Sequence, residues 1–145
     1  MGDRVADVLA EKANADVLTI DGGAMVIDAV RQMVDANVGA LLVTERERIV
    51  GIVTERDYLR RVALEGRSSA STPVRDIMTS PLIVVEPETP VAETMALMTD
   101  RRIRHLPVAV DSQIGGVISI GDVVKFQTKQ QTFQLQYLNE YISAR

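Results

Sequence analysis

The chain has 145 residues, 46% hydrophobic and 25% charged, which suits one domain or two small ones sharing a core. It has no Cys, no Trp, one His, two Phe and three Tyr. That excludes disulfides, thiol chemistry, Cys-ligated zinc and a multi-His metal site, while the few aromatics and a net charge of −4 argue against nucleic acid and anionic membrane as partners.

The opening residues are broken up by Asp3 and Asp7, and no apolar run approaches the roughly 20 residues of a membrane span. Ala6 breaks the myristoylation pattern. The expectation is a cytoplasmic chain with no membrane partner. Residues 17–20 are apolar and read as a buried strand, followed by the turn Asp21-Gly22-Gly23. Val26, Ala29, Val30 and Met33 then recur at helical spacing. Residues 40–44 and 49–53 form a predicted hairpin around the polar tip at 45–48, and a second helix is expected from Thr54. Residues 66–73 read as a linker, rich in small residues and closed by Pro73. Its Gly66-Arg67-Ser68-Ser69 could instead form a phosphate nest.

The same order returns downstream. Residues 82–85 are apolar, a turn at 86–90 follows, and Thr89 and Pro90 suit the N-cap and first turn of a helix carrying Val91, Thr94, Met95 and Met98. Residues 106–110 and 114–118 predict a second hairpin. A final helix is expected from about Ile120 to near Ile142, with apolar Val124, Phe126, Phe133, Leu135, Leu138 and Ile142. Its Gln-rich centre suggests an exposed helix or one packed on another subunit.

Those two halves are an internal repeat. Gly51-Ile52-Val53-Thr54-Glu55-Arg56-Asp57 returns as Gly116-Val117-Ile118-Ser119-Ile120-Gly121-Asp122, and an offset of 65 holds without a gap back to Asp16 and Pro81. Upstream, Val5-Ala6-Asp7-Val8-Leu9 resembles Val74-Arg75-Asp76-Ile77-Met78 at an offset of 69. Each half is β-α-β-β-α, giving repeat one at 1–65, a linker at 66–73, and repeat two with its extended helix at 74–145. The fold class is α+β, with two pseudo-symmetric repeats packed sheet to sheet and related clefts at their interface.

The repeated Gly–apolar–apolar–Thr/Ser–x–x–Asp motif sits where a strand becomes a helix. Thr54 and Ser119 suit N-caps, and Asp57 and Asp122 suit the position that returns a bond to the cap. The same groups suit a nucleotide. A helix start attracts phosphate, a hydroxyl bonds it, a carboxylate accepts ribose hydroxyls, and Gly lets a ligand approach the backbone. Arg101, Arg102, Arg104 and His105 concentrate positive charge before the second motif. Arg104 and His105 are phosphate candidates, whereas Arg101 and Arg102 suit a helix C-terminus. Arg56, with Lys12 approaching from the N-terminal loop, is the basic option in repeat one.

The tandem motif, with Met78-Thr79 and Arg104-His105-Leu106-Pro107-Val108, resembles a pair of CBS (cystathionine β-synthase) domains, a Bateman module, over nearly the whole chain. It resembles the stand-alone bacterial members. The resemblance implies an adenosyl ligand (AMP, ADP, ATP, NAD or S-adenosylmethionine) bound between the repeats, with no catalytic cofactor. It implies that Asp57 and Asp122 hold ribose and that Thr54 and Ser119 bond ribose or phosphate. Asp16, Val17 and Leu18 in repeat one, and Thr79, Ser80, Pro81 and Leu82 in repeat two, would frame adenine. Asn37, Val38, Gly39 and Ala40, or Ile103, Arg104, His105 and Pro107, would line the ligand-facing strands. It also implies a homodimer of disc-like pairing and a separate downstream effector. Two other readings stand beside nucleotide sensing: a dimerisation module with degenerate clefts, and an enzyme using Ser119, His105 and Asp122, which lacks a nucleophile elbow.

Overall fold

The computed structural model describes residues 2–12 and 17–143. The chain divides into two compact units that do not coincide with the sequence repeats. One takes the central chain through Ile83, and the other joins the N-terminal segment to the chain from Val84 onward.

In the central unit, β1 (Thr19–Asp21) runs parallel to β2 (Ala40–Glu45), which pairs antiparallel with β3 (Arg48–Thr54). The strand expected over 17–20 thus starts two residues later, although Leu18 still accepts the Leu42 N–H at 3.0 Å. The predicted polar tip contracts to two residues, Arg46 and Glu47, both with positive φ. This is the geometry whose twist matches a hairpin. Helix α2 (Val26–Ala36) buries Val26, Ala29 and Met33 as the periodicity predicts. Asn37 ends it in the left-handed conformation (φ 55°), and the Val38 N–H bonds Met33 O at 3.0 Å. Helix α3 (Glu55–Tyr58) is one turn, continued by a π-helical turn at Leu59–Ala63.

Residues 66–73 are packed rather than loose. Ser69 O and Thr72 O accept the first N–H groups of α2, from Ile27 and Val26, at 2.9 and 2.8 Å. These donors have no partner inside their own helix. Ser68 O accepts the Thr72 hydroxyl at 2.7 Å, so the carbonyls of this segment serve the chain itself. Beyond it, a 3-10 turn at Val74–Asp76 drops Val74 and Ile77 into the core with Ile20, Leu41, Val43 and Val53.

The other unit contains α1 (Val5–Glu11), α4 (Val91–Arg101), the hairpin of β4 (His105–Val110) with β5 (Gln113–Ser119), and α5 (Ile120–Ser143). Two expectations are corrected here. The strand expected over 82–85 is reduced to one bridge, Val85 with Val108. The N-cap of α4 is Pro90 rather than Thr89, whose hydroxyl instead accepts the Glu86 N–H at 3.0 Å. A proline at the cap leaves the first donor to the N-terminal segment: the Val91 N–H bonds Asp3 O at 2.9 Å, and the Val5 N–H bonds Thr89 O at 2.9 Å. Val5 and Val8 are buried, and α1 contacts β5 and α5. In α5, Val123 and Phe126 are buried, while Val124, Leu135 and Leu138 are exposed. The side chains of Phe133 and Ile142 lie outside the described set.

The two lead-in segments are therefore exchanged. Residues 74–78 complete the unit of repeat one, and residues 5–9 complete the unit of repeat two. The motif glycines record it. A Cβ on Gly51 would lie 2.8 Å from Thr79 O and from Met78 Sδ, and one on Gly116 would lie 3.0 Å from Leu9. The motif alone suggests that these glycines admit a ligand, but the lead-in segments occupy that space.

Candidate functional site

In the central unit, Thr54 caps α3. Its Oγ1 accepts the Asp57 N–H at 3.2 Å, and its N–H donates to Asp57 Oδ2 at 2.9 Å. The capping box predicted from the motif is thus present, and it holds the Asp57 carboxylate at the strand end, half-buried. The Thr79 hydroxyl donates to Asp57 Oδ1 at 3.3 Å. Thr79 is fixed by reciprocal backbone bonds with Ile52, at 2.8 and 3.0 Å, and the Ser80 hydroxyl donates to Val50 O at 2.8 Å. Sequence order puts Thr79 and Ser80 beside the second motif; the exchange of lead-ins brings them to the first. Pro81, after a cis peptide bond, is exposed, and Leu82 is half-buried. Gly39 O accepts the Glu55 N–H at 3.0 Å, and Ala40 pairs with Thr54 in the sheet, so both flank the cap. Arg56 is exposed on the first turn, Val17 is half-buried, and Asp16 lies outside the described residues.

The Asp57 site and a cavity of about 430 Å³ share this end of the unit. The cavity is lined by Asn37, Val38 and Gly39 on one side and Glu55, Tyr58 and Leu59 on the other.

In the other unit the cap is repeated. The Ser119 N–H donates to Asp122 Oδ2 at 2.8 Å, and Ser119 Oγ accepts the Asp122 N–H at 3.0 Å. The partner of the carboxylate differs. Here it is Lys12, whose Nζ lies 3.0 Å from Asp122 Oδ2 and also donates to Val117 O. Sequence order suggests Lys12 for repeat one; the placement of α1 delivers it to Asp122. Burial works to raise the Asp122 pKa, but the Ser119 N–H and the Lys12 ammonium together hold it below the usual value. His105 stands across from Ser119 in the β4–β5 register and is half-buried. Burial lowers its pKa, Lys12 and Arg104 push the same way, and Asp122 opposes them. Arg104 is exposed, and its carbonyl accepts the Ile120 N–H at 2.8 Å. Ile103 is half-buried, and its N–H closes the end of α4 on Met98 O at 3.0 Å. Pro107 is buried, and its carbonyl accepts the Val85 N–H at 3.0 Å, which makes it part of the sheet. Arg101 is the last residue of α4 and Arg102 its C-cap, the helix-end role.

Ser119, His105 and Asp122 therefore meet, but as a helix cap beside a half-buried imidazole. Asp122 Oδ2 accepts the Ser119 N–H and pairs with the Lys12 ammonium. Among the described residues there is no cluster of three or more metal-ligating side chains.

The CBS domain family model matches residues 5–64 and again 74–129. The chain belongs to the CBS-domain family. The mitochondrial CBS domain-containing protein CBSX3 of Arabidopsis thaliana is 47% identical over 146 residues, covering 95% of this chain and 71% of the plant protein. A solved protein with CBS domains from Burkholderia ambifaria is 46% identical, with a TM-score of 0.81 over 84% of this chain and 91% of that one. A CBS domain pair solved in complex with 5′-methylthioadenosine and S-adenosyl-L-methionine shares the fold at 20% identity, with a TM-score of 0.76 over 90% of this chain and 99% of that one. This chain is thus a CBS domain pair, a regulatory type of module, and no catalytic family is indicated. No helix among the described residues is long and apolar enough to cross a membrane.

Proposed function

We propose that this CBS pair is a non-enzymatic sensor that binds an adenine nucleotide (AMP, ADP, ATP or NAD) at Asp57 and at Asp122 and passes its occupancy to a separate effector. The observation that carries this reading is the pair of carboxylates, each held by a hydroxyl-capped helix start. Among the described residues Asp57 Oδ1 receives one hydrogen bond, at 3.3 Å from the Thr79 hydroxyl, which a ribose hydroxyl can replace with a shorter one. Exposed Arg56 and Arg104 supply cations for phosphate. The fold is shared with a pair solved with two adenosyl compounds, which supports the ligand class.

Calorimetric titration of AMP, ADP, ATP and NAD into the parent, Asp57→Ala and Asp122→Ala tests the reading. Each variant should lose one site, its affinity falling about 10- to 100-fold, as expected for hydrogen bonds to a charged group. Equal affinity and stoichiometry in all three proteins would overturn it.

A homodimer belongs to the same proposal. Val34 and Leu59 are 72% and 56% exposed and both line the cavity beside α2 and α3, an apolar face suited to a second copy. Val34→Lys should shift the sedimenting species to monomer. A parent that sediments as a monomer would remove this part.

A further inference from the structure

The two sites differ in the charge of the group facing the carboxylate. Asp57 receives a neutral hydroxyl from Thr79. Asp122 receives an ammonium from Lys12 at 3.0 Å. The two side chains of this ion pair are only 24% and 23% exposed, so solvent screens it weakly. Lys12 is also positioned independently of Asp122. It donates to Val117 O, and the preceding Glu11 is tied to Lys129 on α5 at 2.6 Å. Both anchors hold the end of α1 at this site whether or not Asp122 is ionised. Asp122 is therefore paired with the Lys12 ammonium, and His105, near both of them, is kept from protonating by burial, with Lys12 and Arg104 acting the same way. A carboxylate left unneutralised repels a phosphate bound near the same ribose, whereas a carboxylate already paired with a fixed ammonium does not.

We infer that Lys12 is a specificity-determining residue that makes the Asp122 site select a phosphorylated nucleotide over the uncharged nucleoside. The inference rests on the nucleotide-binding reading of that site and adds a discrimination within it. Lys12 stays between Asp122 Oδ2 and Val117 O as the anion arrives, so the phosphate meets a neutralised carboxylate while the other carboxylate oxygen accepts a ribose hydroxyl. Among the described residues no ammonium is paired with Asp57, and exposed Arg56 is not tied to that carboxylate, so the Asp57 site discriminates less between nucleoside and nucleotide.

The test is the ratio of AMP to adenosine affinity, measured by calorimetry in the parent, Lys12→Met and Lys12→Arg, each also combined with Asp57→Ala so that only the Asp122 site is read. Lys12→Met should cut the ratio by about tenfold or more, the weight of one hydrogen bond to a charged group, and Lys12→Arg should retain most of it. Thermal melting and AMP binding at the intact Asp57 site, in Lys12→Met alone, establish that this variant is folded. An unchanged ratio overturns the inference while leaving the nucleotide reading standing. Tighter AMP binding in Lys12→Met also overturns it, because the lysine would then be a plug that competes with ligand. Failure of the parent to bind either compound at millimolar concentration overturns both readings.

Discussion

His105 is half-buried beside two cations, and its protonation is disfavoured in the folded chain. Burial is the largest cause, reinforced by Lys12 and Arg104 and opposed by Asp122. The native pKa lies below the ordinary value of 6.5, so the unfolded chain binds the extra proton first as pH falls. The stability contributed by neutral His105 is complete above about pH 6.5 and is lost as pH drops through the lowered native value. Melting temperature recorded from pH 8 to pH 5 should decline more steeply in the parent than in His105→Gln; parallel curves would contradict the assignment. The motif glycines offer a second contrast between single residues. Gly51→Ala puts a methyl 2.8 Å from the Thr79 carbonyl, a backbone atom that cannot swing aside. It should cost about 1–3 kcal/mol, the range for overpacking. Gly116→Ala meets only the tip of Leu9 at 3.0 Å, which can rotate, so urea denaturation should show a smaller loss.

Turns, caps and pairings are legible in the sequence to different degrees. The 65-residue offset locates both hairpins and both capping boxes because those depend on neighbours close in the chain. It does not reveal that Arg46-Glu47 and Asp111-Ser112 take positive φ at both turn residues, since neither pair is the Asn-Gly or Asp-Gly that such a turn prefers. Strand pairing dictates the turn there against local preference. Replacing Arg46-Glu47 by Asn-Gly should relieve that conflict and stabilise the chain by about 0.5–1 kcal/mol, read from the denaturation midpoint. Residues 82–85 show the opposite failure. Their apolar run resembles 17–20, but only Val85 finds a partner on β4, and the rest leaves the ladder. Apolar character reports a tendency to be buried, and a strand also needs an open edge in register.

At the scale of the molecule, similarity between segments does not say which neighbour each segment packs on. The change of offset from 65 to 69 marks a loop of different length, yet nothing in it shows that the lead-ins change places. That exchange explains why Thr79 and Lys12 reach carboxylates other than those that sequence order suggests. It also makes an asymmetric prediction. Removing residues 1–12 deletes Val5 and Val8, each worth about 1.5–3 kcal/mol when buried. Hydrogen exchange should then accelerate in β4 and β5, while β2 and β3, which lie nearer in sequence, retain their protection. Faster exchange in β2 and β3 alone would refute this.

The exchange has a further consequence for a chain made from one end. The central unit is continuous and is complete once Ile83 has left the ribosome. Helix α1 emerges before it, with Val5 and Val8 still lacking β5 and α5. At about 5–20 residues per second, the wait until Phe126 is on the order of ten seconds. Helix α1 is made before the central unit yet waits longer than that unit to be covered, and in that interval its bare Val5 and Val8 would offer a foothold to a chaperone.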